Sequence, residues 1–346
     1  MKELVRVLVV DDSAFARKVM REVLAAEAGV EVVGLAHNGL QALEMVKELR
    51  PDVVTLDLLM PELDGVGVLL AMADWPDRPH AVVVTTLDEA SEVGVAALAA
   101  GAFDVVQKPT AIATDRLYEL GPQLVAAIRA AAVAPRGAHR PVATPAAIVF
   151  PHGARAAYDI VVIGASTGGP QAVSLLIAAL PASFPVPVAV VLHMPPGYTA
   201  SYAARIDGES ALDVREAREE LELVPGLVAI ARAGMHLKVA SRNGVCRAHL
   251  DVSPIDALHR PSVDVLFASA ASSGSRVLGV VLTGMGDDGL AGARAIRASG
   301  GHMIAEAASS CIVYGMPRAV AENGLADEVV PLERMASTIA AALLRS

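Results

Sequence analysis

The chain of 346 residues is long enough for two domains of ordinary size, each with a core of its own. Its formal net charge of -10 disfavours nucleic acid as a partner, and no apolar run reaches the roughly 18 residues that a membrane span needs. The N-terminus meets acidic residues too early for a secretory signal, and the two cysteines, Cys246 and Cys311, lack metal-like spacing, so we expect a cytoplasmic protein.

The first 130 residues alternate short apolar runs with helix-like segments, and this pattern predicts five βα units. The candidate strands are RVLVV, VEVVGLA, PDVVTLDLL, HAVVVTT and FDVVQKP. Such alternation is typical of a parallel sheet with helices on both faces, in which ligands gather at the carboxyl ends of the strands.

Polar side chains stand at four of these strand ends. They are Asp11 and Asp12 after the first strand, Asp57 after the third, Thr85 and Thr86 at the fourth, and Lys108 at the fifth. Carboxylate oxygens suit Mg²⁺, an aspartate can accept a phosphoryl group, and a lysine can neutralise phosphate oxygens. The alternative is that single acids here are loop residues, with Asp12 or Ser13 serving only as a helix cap.

The order Asp11-Asp12, Asp57 before Met60-Pro61, Thr85 and Lys108-Pro109 resembles the receiver domain of bacterial response regulators, which has a flavodoxin-like (βα)5 fold. The resemblance implies that Asp57 is the phosphoacceptor, that Asp11, Asp12 and Asp57 bind Mg²⁺, and that Thr85 and Lys108 are the switch residues that sense the phosphoryl group. One departure is Val105, which stands where the family often has an aromatic switch residue.

Residues 131–157 contain four prolines and little periodicity, and they are typical of a semi-flexible linker. We therefore expect a receiver domain over residues 1–130, a linker over 131–157 and a second domain over 158–346. The alanine-rich start of the linker could instead extend the last receiver helix.

The second domain begins with DIVVIGASTGG, an apolar run that predicts a buried strand and ends in a glycine-rich turn. Gly164, Ser166 and Gly168 match G-x-S-x-G, in which glycines allow a sharp strand-to-helix turn to expose a nucleophilic serine. Pro170 then suits the first turn of a helix. A dinucleotide-binding turn is disfavoured because its pattern needs glycine at Ser166, whereas a purely structural turn stays open on this motif alone.

Two further strand ends carry groups that could act with Ser166. His193 follows the run VAVVL, and Asp287 and Asp288 lie in the turn of VLGVVLTGMGDDG, although an aspartate there could simply cap the next helix. A serine, a histidine as base and an aspartate as its orienting partner form a known nucleophilic set. Between these strands, LVAIA, HLKVA and VCRAHL, with a turn at Arg242-Asn243-Gly244, predict an antiparallel insertion.

The motifs GASTGGP, HMPPGYTASYAARI, HRPSVDVLF, LTGMGDDG and YGMP resemble the catalytic domain of the chemotaxis protein-glutamate methylesterases. The resemblance implies a doubly wound, mainly parallel, Rossmann-like α/β hydrolase domain with catalytic Ser166, His193 and Asp288. It also places an oxyanion contact on the backbone of Met285 and sets Thr167 close to the nucleophile. Asp287 remains the second candidate for the partner of His193. Three positions depart from the family pattern: Ala229, Arg232 and Ala308.

The same resemblance implies hydrolysis of glutamate methyl esters on transmembrane chemoreceptors, deamidation of selected receptor glutamines, and no cofactor at the hydrolase site. The chemotaxis histidine kinase would supply the phosphoryl group, and phosphorylation would relieve inhibition by the receiver domain. Two other hypotheses remain. One is a response regulator whose second domain only binds a ligand, and the other is an esterase that serves a different chemosensory pathway.

Overall fold

The structure is a computed structural model, and it describes residues 4–86, 91–108, 118, 120–134, 148, 150, 155–242 and 245–345. The chain divides into two compact units, Met1–Arg140 and Pro141–Ser346. Across the described residues, every helix is too short or too polar to cross a membrane.

The first unit contains one five-stranded parallel sheet with the strand order β2-β1-β3-β4-β5. Its strands are β1 Val5–Val10, β2 Val30–Ala36, β3 Val53–Leu56, β4 His80–Thr85 and β5 Asp104–Gln107. The helices that connect and follow them are α1 Ala14–Ala25, α2 Gly39–Leu49, α3 Gly65–Met72, α4 Ser91–Ala99 and α5 Gly121–Val133. All five strands predicted from the sequence are therefore confirmed.

Local sequence explains where several of these helices begin. The side chains of Ser13, Asn38 and Asp64 each accept a hydrogen bond from a backbone N–H in the first turn of the helix that follows. Of the two cap candidates near the first strand, Ser13 is the residue that caps α1. The helix α5 continues to Val133, beyond the expected receiver boundary at residue 130, so the alanine-rich residues there do extend it.

The second unit is built on a seven-stranded parallel sheet with the strand order β14-β13-β12-β6-β7-β9-β8. Its strands are β6 Ile160–Ala165, β7 Val188–Leu192, β8 Asp213–Glu216, β9 Leu227–Ile230, β12 Val277–Val281, β13 His302–Glu306 and β14 Glu328–Val330. Its helices are α6 Gly169–Ala178, α7 Tyr198–Glu209, α8 Val263–Ser272, α9 Leu290–Ala298, α10 Met316–Glu322 and α11 Leu332–Leu343.

The antiparallel insertion is smaller than the sequence predicts. Only β10 His236–Arg242 and β11 Val245–Asp251 pair as an antiparallel hairpin, and the turn residues Asn243 and Gly244 lie outside the described residues. The prediction that LVAIA belongs to the insertion is wrong, because β9 pairs in parallel with β7 and β8 in the main sheet. All four residues of β9 are buried, as expected for a strand covered on both faces.

The strand order decides which strand ends meet. The strand β6 lies between β7 and β12, with Ala165 opposite Leu192 and Gly164 opposite Val281. The segments that leave the carboxyl ends of these three strands therefore lie side by side, at the edge where parallel α/β sheets bind ligands.

Candidate active site

The serine turn is fixed by the segment that follows β12. The backbone N–H of Ser166 donates to the carbonyl of Thr283 at 3.0 Å. A Cβ atom added to Gly284 would lie 2.8 Å from the Cβ of Ser166, so a side chain there would push against the nucleophile turn. Gly168 takes a left-handed φ of +76°, which lets the chain enter α6 directly after the turn.

The structure brings the predicted serine and histidine into contact, with 3.1 Å between Ser166 Oγ and His193 Nδ1. The other ring nitrogen, Nε2, lies 2.8 Å from Oδ2 of Asp288. An ionised carboxylate can only accept, so Nε2 carries the proton and donates to Asp288, which leaves the Nδ1 lone pair directed at the serine hydroxyl. The imidazole is thus used the opposite way round from the serine proteases, in which Nε2 faces the serine.

Asp288 is held by the amino end of α8. Its carboxylate accepts hydrogen bonds from Ser262 Oγ at 2.9 Å and from the backbone N–H groups of Val263 and Asp264 at 2.8 and 2.9 Å. Burial alone would raise the pKa of Asp288, but the hydrogen bond and charge of His193 and these backbone donors outweigh burial and lower the pKa to about 2. Asp288 is therefore a fixed anion at neutral pH.

The neighbouring acid, Asp287, is exposed, and none of its side-chain contacts involves His193. Neither aspartate side chain caps α9, so the capping alternative is wrong. The N–H groups of Gly289 and Gly292 donate instead to Oδ1 of Asp264, at 2.9 and 2.7 Å. The carboxylate of Asp264 thus joins the starts of α8 and α9, and this leaves Asp288 available to the histidine.

The two other residues expected near the nucleophile occupy different environments. Thr167 is buried, and its carbonyl accepts a hydrogen bond from Thr283 Oγ1 at 3.0 Å. Met285 is partly exposed in the turn after Gly284, and within the described part of the chain its backbone N–H donates to no protein acceptor. An amide of this kind is available to a developing negative charge.

Sequence reasoning missed His259, whose ring stacks on that of His193 with 4.0 Å between ring centroids and 18° between planes. Burial, followed by the charge of His193, lowers the pKa of His259, so its neutral form is favoured. The only signal in the sequence was its place in HRPSVDVLF, the motif that also supplies the three donors to Asp288.

Sequence reasoning also missed a buried acid behind the serine turn. Glu306 at the end of β13 is fully buried, and its carboxyl group accepts from the N–H of Thr283 and the hydroxyl of Ser310, both at 2.8 Å. Burial raises its pKa. Because Thr283 holds the backbone of Ser166, Glu306 helps to fix the turn without touching the serine.

The three departures from the family pattern occupy different places. Ala229 is fully buried in β9, so it does not line an open groove. Arg232 and Ala308 are both exposed.

The first unit gathers its predicted acids at the carboxyl edge of its sheet. Lys108 Nζ lies 2.7 Å from Asp57 Oδ2 and 2.6 Å from Asp11 Oδ2. Burial alone would lower the pKa of Lys108, but the carboxylates of Asp11 and Asp57 outweigh burial and raise this pKa. Burial raises the pKa of Asp11 to about 6, although the charge of Lys108 opposes this rise. Ligand oxygens of Asp11, Asp12 and Asp57 lie within 4.8 Å of one another, which fits a hard divalent cation.

Three other receiver positions singled out in the sequence are Thr85, Val105 and Pro109. The hydroxyl of Thr85 is buried at the end of β4 without a hydrogen-bond partner in the described residues. Such an unpaired buried hydroxyl is costly unless another group, such as a phosphoryl oxygen, uses it. Val105 is buried within β5, and Pro109 lies outside the described residues.

Comparisons with known proteins match both units. Residues 161–339 match the family model of CheB methylesterase, and residues 7–119 match that of the response regulator receiver domain. A protein-glutamate methylesterase/protein-glutamine glutaminase of Myxococcus xanthus is 57% identical, with 96% of each chain covered. One from Methanosarcina acetivorans is 42% identical, covering 97% of this chain and 98% of that protein.

Among solved structures, the CheB methylesterase catalytic domain of Thermotoga maritima matches with a TM-score of 0.52 and 43% identity. The match covers 54% of this chain and 98% of that domain. The two family models, the full-length relatives and this structure agree with one another, and the chain belongs to the CheB methylesterase family, with a response regulator receiver domain ahead of the methylesterase domain.

Proposed function

We propose that this protein is a phosphorylation-regulated esterase that removes methyl groups from glutamate side chains of chemoreceptors. The observation that carries the proposal is the relay from Ser166 Oγ through His193 to Asp288, with 3.1 and 2.8 Å between the bonded atoms. The names of the full-length relatives support the substrate class.

In the proposed reaction, Ser166 Oγ attacks the side-chain carbonyl carbon while Nδ1 of His193 takes the hydroxyl proton. The charged imidazole is stabilised by Asp288, which is already ionised and fully hydrogen bonded. His193 then returns the proton to the departing methoxy group, and methanol leaves. Water, activated by the same nitrogen, hydrolyses the acyl-serine and regenerates the enzyme.

The tetrahedral intermediate needs donors for its oxyanion, and we assign this role to the backbone N–H of Met285. It lies in the turn that Gly284 packs against Ser166, and it has no protein acceptor in the described residues. Removal of one such donor typically costs about 10²–10³ in rate. We assign to Thr167 a supporting role beside the nucleophile.

Deamidation of receptor glutamines follows from the same acyl transfer. Ser166 would attack the carbonyl of a glutamine side chain in the same way, and His193 would protonate the amide nitrogen, which leaves as ammonia before water hydrolyses the acyl-serine. Neither reaction as written needs a group beyond the protein and water.

In the receiver domain, we propose that Asp57 accepts the phosphoryl group from a chemotaxis histidine kinase. Mg²⁺ held by Asp11, Asp12 and Asp57 would offset the repulsion between carboxylates and phosphate oxygens, and the three acids lie close enough to share it. Lys108, now paired with Asp11 and Asp57, and the unpaired hydroxyl of Thr85 would then bind phosphoryl oxygens.

We further propose that the receiver, whose last helix continues to Val133, restrains the methylesterase domain over 158–346 through the linker between them, and that phosphorylation releases this restraint. Charge added at Asp57 would draw Lys108 and Thr85 toward it and reshape the receiver surface. We place this regulation in the cytoplasm, where the receptor ends that carry the modified glutamates would be accessible.

The test is to add the full-length protein to receptor membranes labelled in their methyl esters and to collect volatile methanol. We expect release that increases when a small phosphodonor and Mg²⁺ are added together. A full-length protein that binds receptor membranes but releases no methanol under either condition would favour an output domain that only binds.

A further inference from the structure

The second unit carries an exposed apolar patch in one short segment, residues 252–258. Leu258 is 90% exposed, Ile255 is 75% exposed and Val252 is 45% exposed. The other exposed large hydrophobic residues described in this unit reach at most 46%, and they are Leu175, Val224, Val329 and Leu344. Single exposed apolar side chains are ordinary, whereas exposed apolar surface concentrated in one place marks interaction sites, and this segment holds three such side chains within seven residues.

The backbone of this segment is held at Pro254 and Ile255, and the chain after it is held at Ser262. Buried His236 accepts a hydrogen bond from the N–H of Ser262 at Nδ1, and its Nε2 donates to the carbonyl of Pro254, at 3.2 and 3.0 Å. The guanidinium of Arg260 donates to the carbonyl of Ile255 at 2.8 Å. The exposed side chains are therefore presented by a tethered segment, and their exposure does not come from a loose loop.

The patch adjoins the catalytic relay through its next residue. His259 follows Leu258 directly and stacks on His193 at 4.0 Å, and consecutive Cα atoms are only about 3.8 Å apart. Three residues further on, Ser262 donates to Asp288. Because the patch adjoins the residue that stacks on His193, we expect a polypeptide that carries its glutamate ester to Ser166 to pass close to the patch, whereas a small ester need not touch it.

We propose that segment 252–258 is a recognition surface for the polypeptide that carries the esterified glutamate, with Leu258 and Ile255 packing against apolar residues beside it. This inference rests on the proposed function and adds the part of the protein that selects the substrate. The surface contributes to binding rather than to the chemical step, because none of its side chains belongs to the relay.

The experiment compares Leu258→Ser and Ile255→Ser in the full-length, phosphodonor-treated protein on two substrates, methylated receptor membranes and the γ-methyl ester of N-acetylglutamate. Val224→Ser is the matched control, since Val224 is 42% exposed beside Asp159 and Arg276 at the amino ends of the strands, opposite Ser166. We expect each test variant to raise KM for receptor about tenfold with kcat unchanged. Hydrolysis of the small ester should be unchanged in all three variants.

Three results would overturn the proposal. The first is an unchanged KM for receptor, and the second is an equal loss on both substrates, which would make the segment a support for the relay. The third is faster demethylation of receptor by either test variant than by the native protein when no phosphodonor is added, which would mean that the patch binds the receiver. Failure of the proposed function is distinguishable, because the native protein itself would then release no methanol from receptor, whether or not it hydrolyses the small ester.

Discussion

The acid that orients His193 gives the sharpest prediction, because two adjacent aspartates differ so clearly in the structure. Asp288 accepts four hydrogen bonds, from His193, Ser262, Val263 and Asp264. In Asp288→Asn, one oxygen becomes an NH2 donor. If that NH2 replaces Oδ2, it faces the donors of His193 and Val263, and the histidine must move its proton to Nδ1, where it can no longer accept from Ser166.

In the other orientation of the asparagine, the NH2 replaces Oδ1, and the site keeps more of its hydrogen bonds but still loses one. The NH2 would then face Ser262 Oγ, which can turn to accept, and the N–H of Asp264, which cannot. His193 would keep its tautomer but lose the negative charge that stabilises its protonated form. We therefore expect a loss in kcat of about 10³–10⁴, which corresponds to roughly 4–5.5 kcal/mol of transition-state stabilisation.

The same substitution should lower stability in a pH-dependent way. The pKa of Asp288 falls from its ordinary 3.8 to about 2, which corresponds to about 2 kcal/mol of stability from its ionised form. Because the folded pKa is lowered, this contribution is complete above about pH 5 and is lost as pH falls toward 2. Asp288→Asn should therefore lower the free energy of unfolding at pH 7 and differ much less from native near pH 2.

The assay is methanol release from methyl-labelled receptor membranes, with urea unfolding followed by circular dichroism. Asp287→Asn is the matched control, because Asp287 is exposed and none of its contacts involves His193. We expect near-native kcat and stability from the control. Equal, mild losses in the two variants would refute the orienting role of Asp288, and a larger loss in Asp287→Asn would transfer that role to Asp287.

Three further predictions concern the turn, the receiver and the phosphoacceptor. Gly284→Ala should lower both kcat and stability, the latter by roughly 1–3 kcal/mol, because its Cβ would lie 2.8 Å from Ser166 Cβ; a native melting temperature would contradict this. A fragment beginning at Tyr158 should release methanol faster than the full-length protein without phosphodonor, and a fragment that is no faster would contradict an inhibitory role of the receiver. Asp57→Ala should leave the full-length protein unresponsive to phosphodonor and Mg²⁺, and a native response would place phosphorylation elsewhere.

Much of the fold follows from local sequence. Valine-rich runs such as residues 160–165 and 188–192 are strands because β-branched side chains suit a sheet that is buried on both faces. The glycines around Ser166 also indicate the turn. By contrast, LVAIA was assigned to the wrong sheet, since a short apolar run does not say which strand it pairs with.

Part of the candidate site could not be predicted from the sequence, because it depends on contacts between residues that are far apart in the chain. Asp287 and Asp288 are chemically identical neighbours in the sequence, and what distinguishes them is hydrogen bonding to residues more than twenty positions earlier, the side chains of His193 and Ser262 and the amides of Val263 and Asp264. His259 was missed for a similar reason, since its stacking on His193 depends on how the segment before α8 folds back over the sheet edge. Glu306 gave no signal because a single acid in an apolar run reads as an exposed residue.

The central claim is that Ser166, activated by His193, is the nucleophile for receptor demethylation. The most direct measurement is methanol release from labelled receptor membranes by Ser166→Ala and His193→Ala, each first shown to be folded by circular dichroism and to bind the membranes as the native protein does. Loss of the hydroxyl, or of the base 3.1 Å from it, should reduce release to the background without enzyme. Near-native turnover by either folded variant would contradict the account.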